Sequence, residues 1–414
     1  MVFNTLAASA DTEWLKIDST IIRAHQQAAG AKGGNSSRRW AVRGVIFVFT
    51  AVMMALASSQ SRAESNPQLA AILEPIRVKY HLPALAGVIF TTDGVEEMAA
   101  AGVRKKGADV AVTADDLWHL GSDTKVMTAM LAATFVVEKK LSWDDKIISF
   151  FPDLAQKVPA AMREITIAQV LRHQAGLSEN LSLWQRAFLS GSVSKQRLQA
   201  AADILESPAY PVGAFHYANN DYVLIGAILE KLGGKPWENL MRERIFTPLH
   251  MDSAGFGGTG TEGKIDQPWP HTDDGAPAPF NGPNMDNPAF MGPCGSVHLS
   301  MADWAKFLAD QLRGGTGMPA LLPAPIYAAV QTPPANSEYA FGWGVVERPW
   351  AGGIALNHDG SNTMNFCACW LAPARKFGVI VCTNQGGDAA AKATDEAAYA
   401  LILHHLAKAG FASP

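Results

Sequence analysis

Ser122 and Lys125 are the residues of this chain whose types and spacing point most directly to chemistry. They stand in Leu117-Trp118-His119-Leu120-Gly121-Ser122-Asp123-Thr124-Lys125, just ahead of an apolar run over residues 126–137. That run is apolar on nearly every face, the pattern of a helix buried in a core rather than one lying on a surface. The lysine follows the serine by three positions, so on a helix the two side chains share a face and the amine reaches the hydroxyl. A hydroxyl is a poor nucleophile until its proton has somewhere to go, and a desolvated lysine is one candidate acceptor. The helix N-terminus adds a positive dipole end where negative charge would develop. A second Ser-x-x-Lys, Ser192 to Lys195, lies in a polar stretch with no apolar helix behind it, and reads as the chance copy.

Two other segments carry groups that such a serine would need. Phe215-His216-Tyr217-Ala218-Asn219 precedes a helical pattern. In extended chain, residues two apart point the same way, so Tyr217 and Asn219 face one cleft. A tyrosine beside Lys125 can relay a proton from Ser122 to a leaving group, the pair titrating as a unit; the plainer alternative is a tyrosine packed at a helix entrance. His358-Asp359-Gly360-Ser361 ends a strand-like run, where Gly360 lets a substrate or another backbone come close. The backbone N–H of Ser361, with that of Ser122, would form an oxyanion hole. By itself His358 reads as a structural strand-end histidine, and His119-Leu120-Gly121 shows how cheaply His-x-Gly arises.

The elements that must position these groups follow from periodicity. Residues 67–80 carry Leu69, Ile72, Leu73 and Ile76 at helical spacing, with Pro75 as a kink. Residues 83–92 and 96–103, joined by Asp93-Gly94, predict a hairpin. Helices are expected over 165–173 and 198–205. Another is expected to be capped by Asp221, with Leu224, Ile225, Ile228, Leu229 and Leu232 as its stripe and Gly233-Gly234 as its stop. Between 255 and 295 lies a Gly-, Pro-, Asn- and Asp-rich loop, of a length usually reserved for function or disorder. A helix over 303–312, strands over 341–346, 354–358, 365–371 and 377–383, and a closing helix over 388–409 complete the chain. Strands at both ends with helices between them predict an α+β fold of the three-layer α/β type: a mainly antiparallel sheet flanked by N- and C-terminal helices, with a helical subdomain inserted over about 113–290.

Together, and in this order, the three segments resemble the serine β-lactamase and penicillin-binding-protein superfamily, whose pattern is Ser-x-x-Lys, then Tyr-x-Asn or Ser-x-Asn, then Lys-Thr-Gly or His-x-Gly. The resemblance covers about residues 66–405. It takes in Leu171-Arg172-His173-Gln174-Ala175-Gly176-Leu177, similar to the family's His-Thr-Ser-Gly-Leu, and Phe246-Thr247-Pro248-Leu249-His250-Met251, similar to its Phe-x-Pro-Leu-Gly-Met. The branch it resembles is the class C-like one, which includes β-lactamases, D-alanyl-D-alanine carboxypeptidases and family VIII carboxylesterases. The resemblance implies that Ser122 is the nucleophile, Lys125 its proton partner, Tyr217 the general base and acid, and Asn219 a donor to the substrate carbonyl. His358 and Gly360 would also contact substrate. It implies an ester, amide or peptide as substrate and no cofactor or metal. Two departures bear on the substrate: His358 replaces the lysine usual in class C β-lactamases, and Asp359 stands where Thr is frequent. Both favour an esterase or peptidase over a β-lactamase. A catalytically idle relative that holds peptidoglycan or a peptide is the alternative from another class.

Composition sets the frame. The chain of 414 residues is 48% apolar with a net charge of −4, and no basic stripe points to nucleic acid. Residues 1–34 stand apart: 3–34 resemble a fragment of a DDE insertion-sequence transposase, whose metal-binding aspartate would be Asp18, here expected to be inert in a disordered remnant. Residues 35–63 have a basic start (Arg38, Arg39, Arg43), a 13-residue apolar core and a small-residue exit, the makings of a secretory signal peptide too short to span a membrane. The hydrolase domain would then be 64–414, periplasmic or secreted if that segment is used and cytoplasmic otherwise. Cys294, Cys367, Cys369 and Cys382 lack zinc-like spacing; Cys367 and Cys382 fall on the two arms of an expected hairpin, where an oxidising compartment would let them pair, and buried thiols are favoured over a disulfide. An α/β-hydrolase would need Gly-x-Ser-x-Gly, which is missing, and His404-His405 reads as a surface pair.

Overall fold

A computed structural model describes residues 65–335 and 337–411; the expectations for residues 1–34 and 35–63 lie outside them. The chain opens with helix α1 (Pro67–Lys79), strands β1 (Ala84–Thr91) and β2 (Gly94–Gly102), then β3 (Leu117–His119) and helix α2 (Thr124–Val137). Helices α3 (Ile167–Leu171), α4 (Leu183–Phe188), α5 (Val193–Glu206), α6 (Asn219–Gly233) and α7 (Trp237–Met241) follow. After β4 (Gly255–Phe256) come α8 (Gly292–Gly295), β5 (Val297–Ser300), α9 (Met301–Gly315) and α10 (Ala324–Gln331). Strands β6 (Gly344–Arg348), β7 (Gly353–Ser361), β8 (Phe366–Ala372) and β9 (Phe377–Thr383) lead to helix α11 (Gly387–Lys408).

The main sheet is antiparallel throughout, in the order β2-β1-β9-β8-β7-β6. β1 and β9, from opposite ends of the chain, therefore pair inside the sheet, next to its β2 edge. Both carry apolar runs without alternation because both of their faces are covered. One face packs on α1 and α11, where Leu73, Val379 and Leu401 meet; the other packs on α2 and α9, where Val88, Met130 and Phe307 meet. Helix, sheet and helices make the three layers expected from the sequence. The sheet carries β7, and with it the His358 segment, against the start of α2.

Local chemistry explains most element ends. Asn66 caps α1, accepting from the N–H of Gln68 and Leu69, and Pro67 occupies the first turn, where it has no hydrogen bond to lose. Pro75 lies within α1 without ending it. The first hairpin turns one residue earlier than expected, through Thr92-Asp93, because Thr91 pairs with Gly94. α6 begins at Asn219, and Asp221 is not its cap: its carboxylate turns inward to His173. Gly234 ends α6 in the left-handed conformation, as its sequence implied. β7 runs on to Ser361, three residues further than expected, so His358-Asp359-Gly360-Ser361 forms the last four residues of that strand, as its sequence implied. A second sheet, ordered β3-β5-β4, was not anticipated, since its strands have two to four residues and show no periodicity. His405 is buried rather than on the surface, stacked on Phe377 at 4.2 Å and paired with Glu96 at 3.1 Å.

Candidate active site

The site forms where β3 gives way to α2. After His119 the chain makes a single 3₁₀ turn, Gly121–Asp123, with Gly121 at φ 52°, and enters α2 directly. Ser122 rides on that turn, partly exposed, while every α2 residue from Thr124 to Phe135 is buried. Lys125 is fully buried, and its Nζ lies 3.0 Å from Ser122 Oγ, 2.8 Å from Asn219 Oδ1 and 2.9 Å from the Cys294 carbonyl. These three contacts equal the donor count of an ammonium group. The same nitrogen stands 4.7 Å from the centre of the Tyr217 ring. Ser122, Lys125, Tyr217 and Asn219 are thus gathered at one point from two stretches about ninety residues apart.

The floor beneath Tyr217 is a buried polar pair. His173, itself in the left-handed conformation at φ 57°, packs tilted against Tyr217 with ring centres 4.2 Å apart and sits with Nδ1 2.5 Å from Asp221 Oδ2. Burial drives the His173 imidazole well below its ordinary value, with the Lys125 charge adding to the effect. Burial likewise holds the Asp221 carboxyl well above the usual carboxylate range. Both shifts favour a neutral pair, an Asp221 carboxylic acid donating to an unprotonated His173. Asn219 is fixed on its other side, its Nδ2 donating to Asn180 Oδ1 at 3.1 Å.

His358 enters from β7 and is nearly buried. Its Nε2 meets the Tyr339 hydroxyl at 3.2 Å, and its Nδ1 lies 3.7 Å from Asp123 Oδ1. Burial, then the nearby Lys125 charge, lowers its pKa from 6.5 to about 3, so at neutral pH it is an uncharged ring. Asp123, buried beneath it, is pushed well above its ordinary range by desolvation and then by Asp359. Gly360 is required by contact. A Cβ there would overlap the Leu120 carbonyl oxygen and lie 2.8 Å from both Asp123 N and Oδ2. Gly121 presses from the other side: a Cβ on it would overlap Ser361 N. The close approach allowed by Gly360 is therefore that of the Ser122 turn, and it sets Ser361 N against Gly121.

Some of these contacts had no signal in the sequence. The Cys294 carbonyl, the third partner of Lys125, comes from the short α8 in the Gly- and Pro-rich stretch. Tyr339 precedes β6 in an irregular segment. His173 fell within a stretch matched to the family, but no role attached to it. The second Ser-x-x-Lys is a helix start: Ser192 caps α5, its hydroxyl accepting from the Lys195 N–H at 3.3 Å. All four cysteines are buried free thiols, with Cys367 directly opposite Cys382 on β8 and β9.

A serine turn opening a buried helix, a lysine one turn on and a tyrosine at the mouth of a second helix, all beside an antiparallel sheet, make an arrangement of the serine-hydrolase kind. The family model described as Beta-lactamase matches residues 69–404, and the chain belongs to that family. It is 27% identical over 324 residues to penicillin-binding protein 4 of Amycolatopsis lactamdurans, covering 76% of this chain and 84% of that one. The fold resembles the octameric penicillin-binding protein homologue from Pyrococcus abyssi, with a TM-score of 0.66 at 22% identity over 83% of this chain and 77% of that one. It also resembles the class C β-lactamase from Rhodobacter sphaeroides, with a TM-score of 0.65 at 20% identity over 82% of this chain and 100% of that one. Among the described residues no helix is long and apolar enough to cross a membrane.

Proposed function

We propose that the chain is a serine hydrolase that works through an acyl-enzyme on an ester or amide, as an esterase or peptidase rather than a β-lactamase. The observation that carries this reading is the buried Lys125 Nζ, shared between Ser122 Oγ, Asn219 Oδ1 and the Cys294 carbonyl. With its donors so engaged, Lys125 acts as a fixed positive charge, and Tyr217 is the group that moves the proton. Ser122 Oγ attacks the acyl carbon as Tyr217 takes its proton, and the Lys125 ammonium at that ring provides the countercharge a tyrosinate needs. The negative charge on the carbonyl oxygen is received by the N–H groups of Ser122 and Ser361. Tyr217 then returns the proton to the leaving alcohol or amine as its bond to the acyl carbon breaks. Water, deprotonated by the same tyrosine, frees the acid and restores Ser122. Asn219 Nδ2 orients the substrate carbonyl in this scheme.

The preference against β-lactams rests on His358. A neutral imidazole engaged by the Tyr339 hydroxyl offers no permanent cation to a substrate carboxylate. The residues 35–63 make export to the periplasm part of the proposal. The test is covalent labelling with a fluorophosphonate, followed by turnover of p-nitrophenyl butyrate and of a chromogenic cephalosporin. Labelling that disappears in Ser122→Ala, with ester turnover exceeding cephalosporin turnover, is the expected result. An unlabelled wild type favours an idle binding relative, and dominant cephalosporin turnover overturns the esterase reading.

A further inference from the structure

The long connection between β4 and α8 sends one carboxylate into the protein behind the nucleophile turn. The Asp286 side chain is 3% exposed, and its two oxygens face two different segments of the site. Oδ2 lies 2.9 Å from His119 Nε2, close but out of line for a hydrogen bond, and neither atom has another partner. His119 Nδ1 accepts the Gly121 N–H at 3.1 Å, which leaves the ring proton on Nε2, facing the carboxylate. Oδ1 accepts from Asn362 Nδ2 at 3.1 Å. Asn362 in turn holds the turn between β7 and β8, its Oδ1 accepting from Asn365 N at 3.1 Å, Asn365 Nδ2 at 3.0 Å and Met364 N at 3.3 Å. One arm thus ends on the residue before Ser122, and the other begins on the residue after Ser361. His119 and Asn362 are both almost wholly buried, so neither arm competes with water.

We propose that Asp286 is a positioning residue: its carboxylate ties the Ser122 turn to the Ser361 turn and thereby sets the spacing of the two N–H groups that receive the oxyanion. The proposal rests on the hydrolase reading above. Donors aimed at developing charge act only where that charge forms, so loosening their spacing lowers the rate of acylation and leaves ground-state binding nearly alone.

The full chain carrying Asp286→Ala, Asp286→Asn or Asn362→Ala is compared with wild type in fluorophosphonate labelling rate, in kcat and KM for p-nitrophenyl butyrate, and in amide hydrogen exchange. Asp286→Ala is expected to slow labelling by about tenfold to a hundredfold, with KM changed less than about twofold, because donors are displaced rather than deleted. Exchange is expected to quicken at 117–123 and 361–366 together. Asp286→Asn keeps an acceptor for Asn362 but turns an N–H toward the Nε2–H of His119, so exchange should quicken at 117–123 and hold at 361–366. Asn362→Ala should give the opposite split, and it serves if Asp286→Ala does not fold. A merely structural carboxylate would not produce that split. Labelling within twofold of wild type with unchanged exchange at both segments overturns the proposal, as does loss of protection spread evenly through the domain. A wild type that takes no label defeats the hydrolase reading, while the exchange split still decides the clamp.

Discussion

Gly360→Ala adds a single methyl group and tests the contact on which the site is built. Gly360 is not among the positive-φ glycines, so alanine meets no backbone penalty there and any effect comes from contact. The new Cβ would overlap the Leu120 carbonyl and stand 2.8 Å from Asp123 N, where ordinary contact begins at 3.4 Å. Both neighbours belong to the backbone of the Ser122 turn and cannot swing aside as a side chain would. β7 and that turn must therefore separate by more than about 1 Å at the Leu120 oxygen, and a misplacement of about 1 Å alone costs on the order of a hundredfold in rate. The overpacking itself should destabilise by about 1–3 kcal/mol, a loss of a few degrees in melting temperature that leaves the protein folded at room temperature. The assay pairs the fluorophosphonate labelling rate with a thermal melt on the same sample. The expected outcome is labelling slowed about a hundredfold in a protein that still melts cooperatively. Wild-type labelling in a folded Gly360→Ala would show that the apposition of β7 and the nucleophile turn does not set the rate.

Three further outcomes follow from the same geometry. Lys125→Met keeps an unbranched chain of similar length but leaves Ser122 Oγ, Asn219 Oδ1 and the Cys294 carbonyl without their shared donor; labelling should fall by at least about a thousandfold with far-ultraviolet circular dichroism unchanged, and labelling near the wild-type rate would remove Lys125 from the chemistry. Ser192→Ala should cost about 1 kcal/mol as a lost helix cap, measured by urea unfolding, while labelling stays at the wild-type rate; a loss of labelling would promote the second Ser-x-x-Lys from cap to site. His358→Gln tests the buried neutral imidazole. Its folded-state value near 3 lies below the unfolded 6.5, so the stability it carries is present above pH 6.5 and is lost as pH falls toward 3. Between pH 7 and pH 5 the wild type should lose about 2 kcal/mol relative to the glutamine variant, which has no group to titrate there, and parallel pH profiles would refute the assignment.

The parts of this fold legible in the sequence are those with long, consistent patterns. Residues 126–137 read as a buried helix because no polar face interrupts them, and the structure buries them as far as Phe135, leaving Val137 exposed at the helix end. The three motif segments were legible as candidates for one site, and Lys125 joins Ser122 to Asn219 in the structure. Asp221 misled because an aspartate near a helix start is normally a cap; here a buried histidine competes for the same carboxylate and wins it. β3, β4 and β5 were invisible since two to four residues cannot display a period, yet β3 delivers the chain to Ser122 and bonds to β5. Asp286 was hidden for another reason: a carboxylate in a Gly- and Pro-rich stretch looks like solvated loop until tertiary contacts bury it.

The electrostatic design of the site follows from burying Lys125. A cation out of water is costly unless it is hydrogen-bonded and no further cation is buried beside it. Three oxygen acceptors meet the first requirement. The second is met because His173 and His358 are held low by burial and by Lys125 itself; desolvation also pushes the Asp123 and Asp221 carboxyls well above their ordinary range, which disfavours their charged forms. If Asp221 or Asp123 were ionised instead, each would pull on the Lys125 ammonium and weaken its hold on Tyr217 and Ser122. A positive charge kept free of competing carboxylates is most effective at the moment a tyrosinate or an oxyanion forms beside it, since in a dry site it is barely screened. Burial of the lysine and neutrality of its neighbours are therefore one arrangement, and substitutions that charge any of these four residues should damage acylation even though none of them touches the acyl carbon.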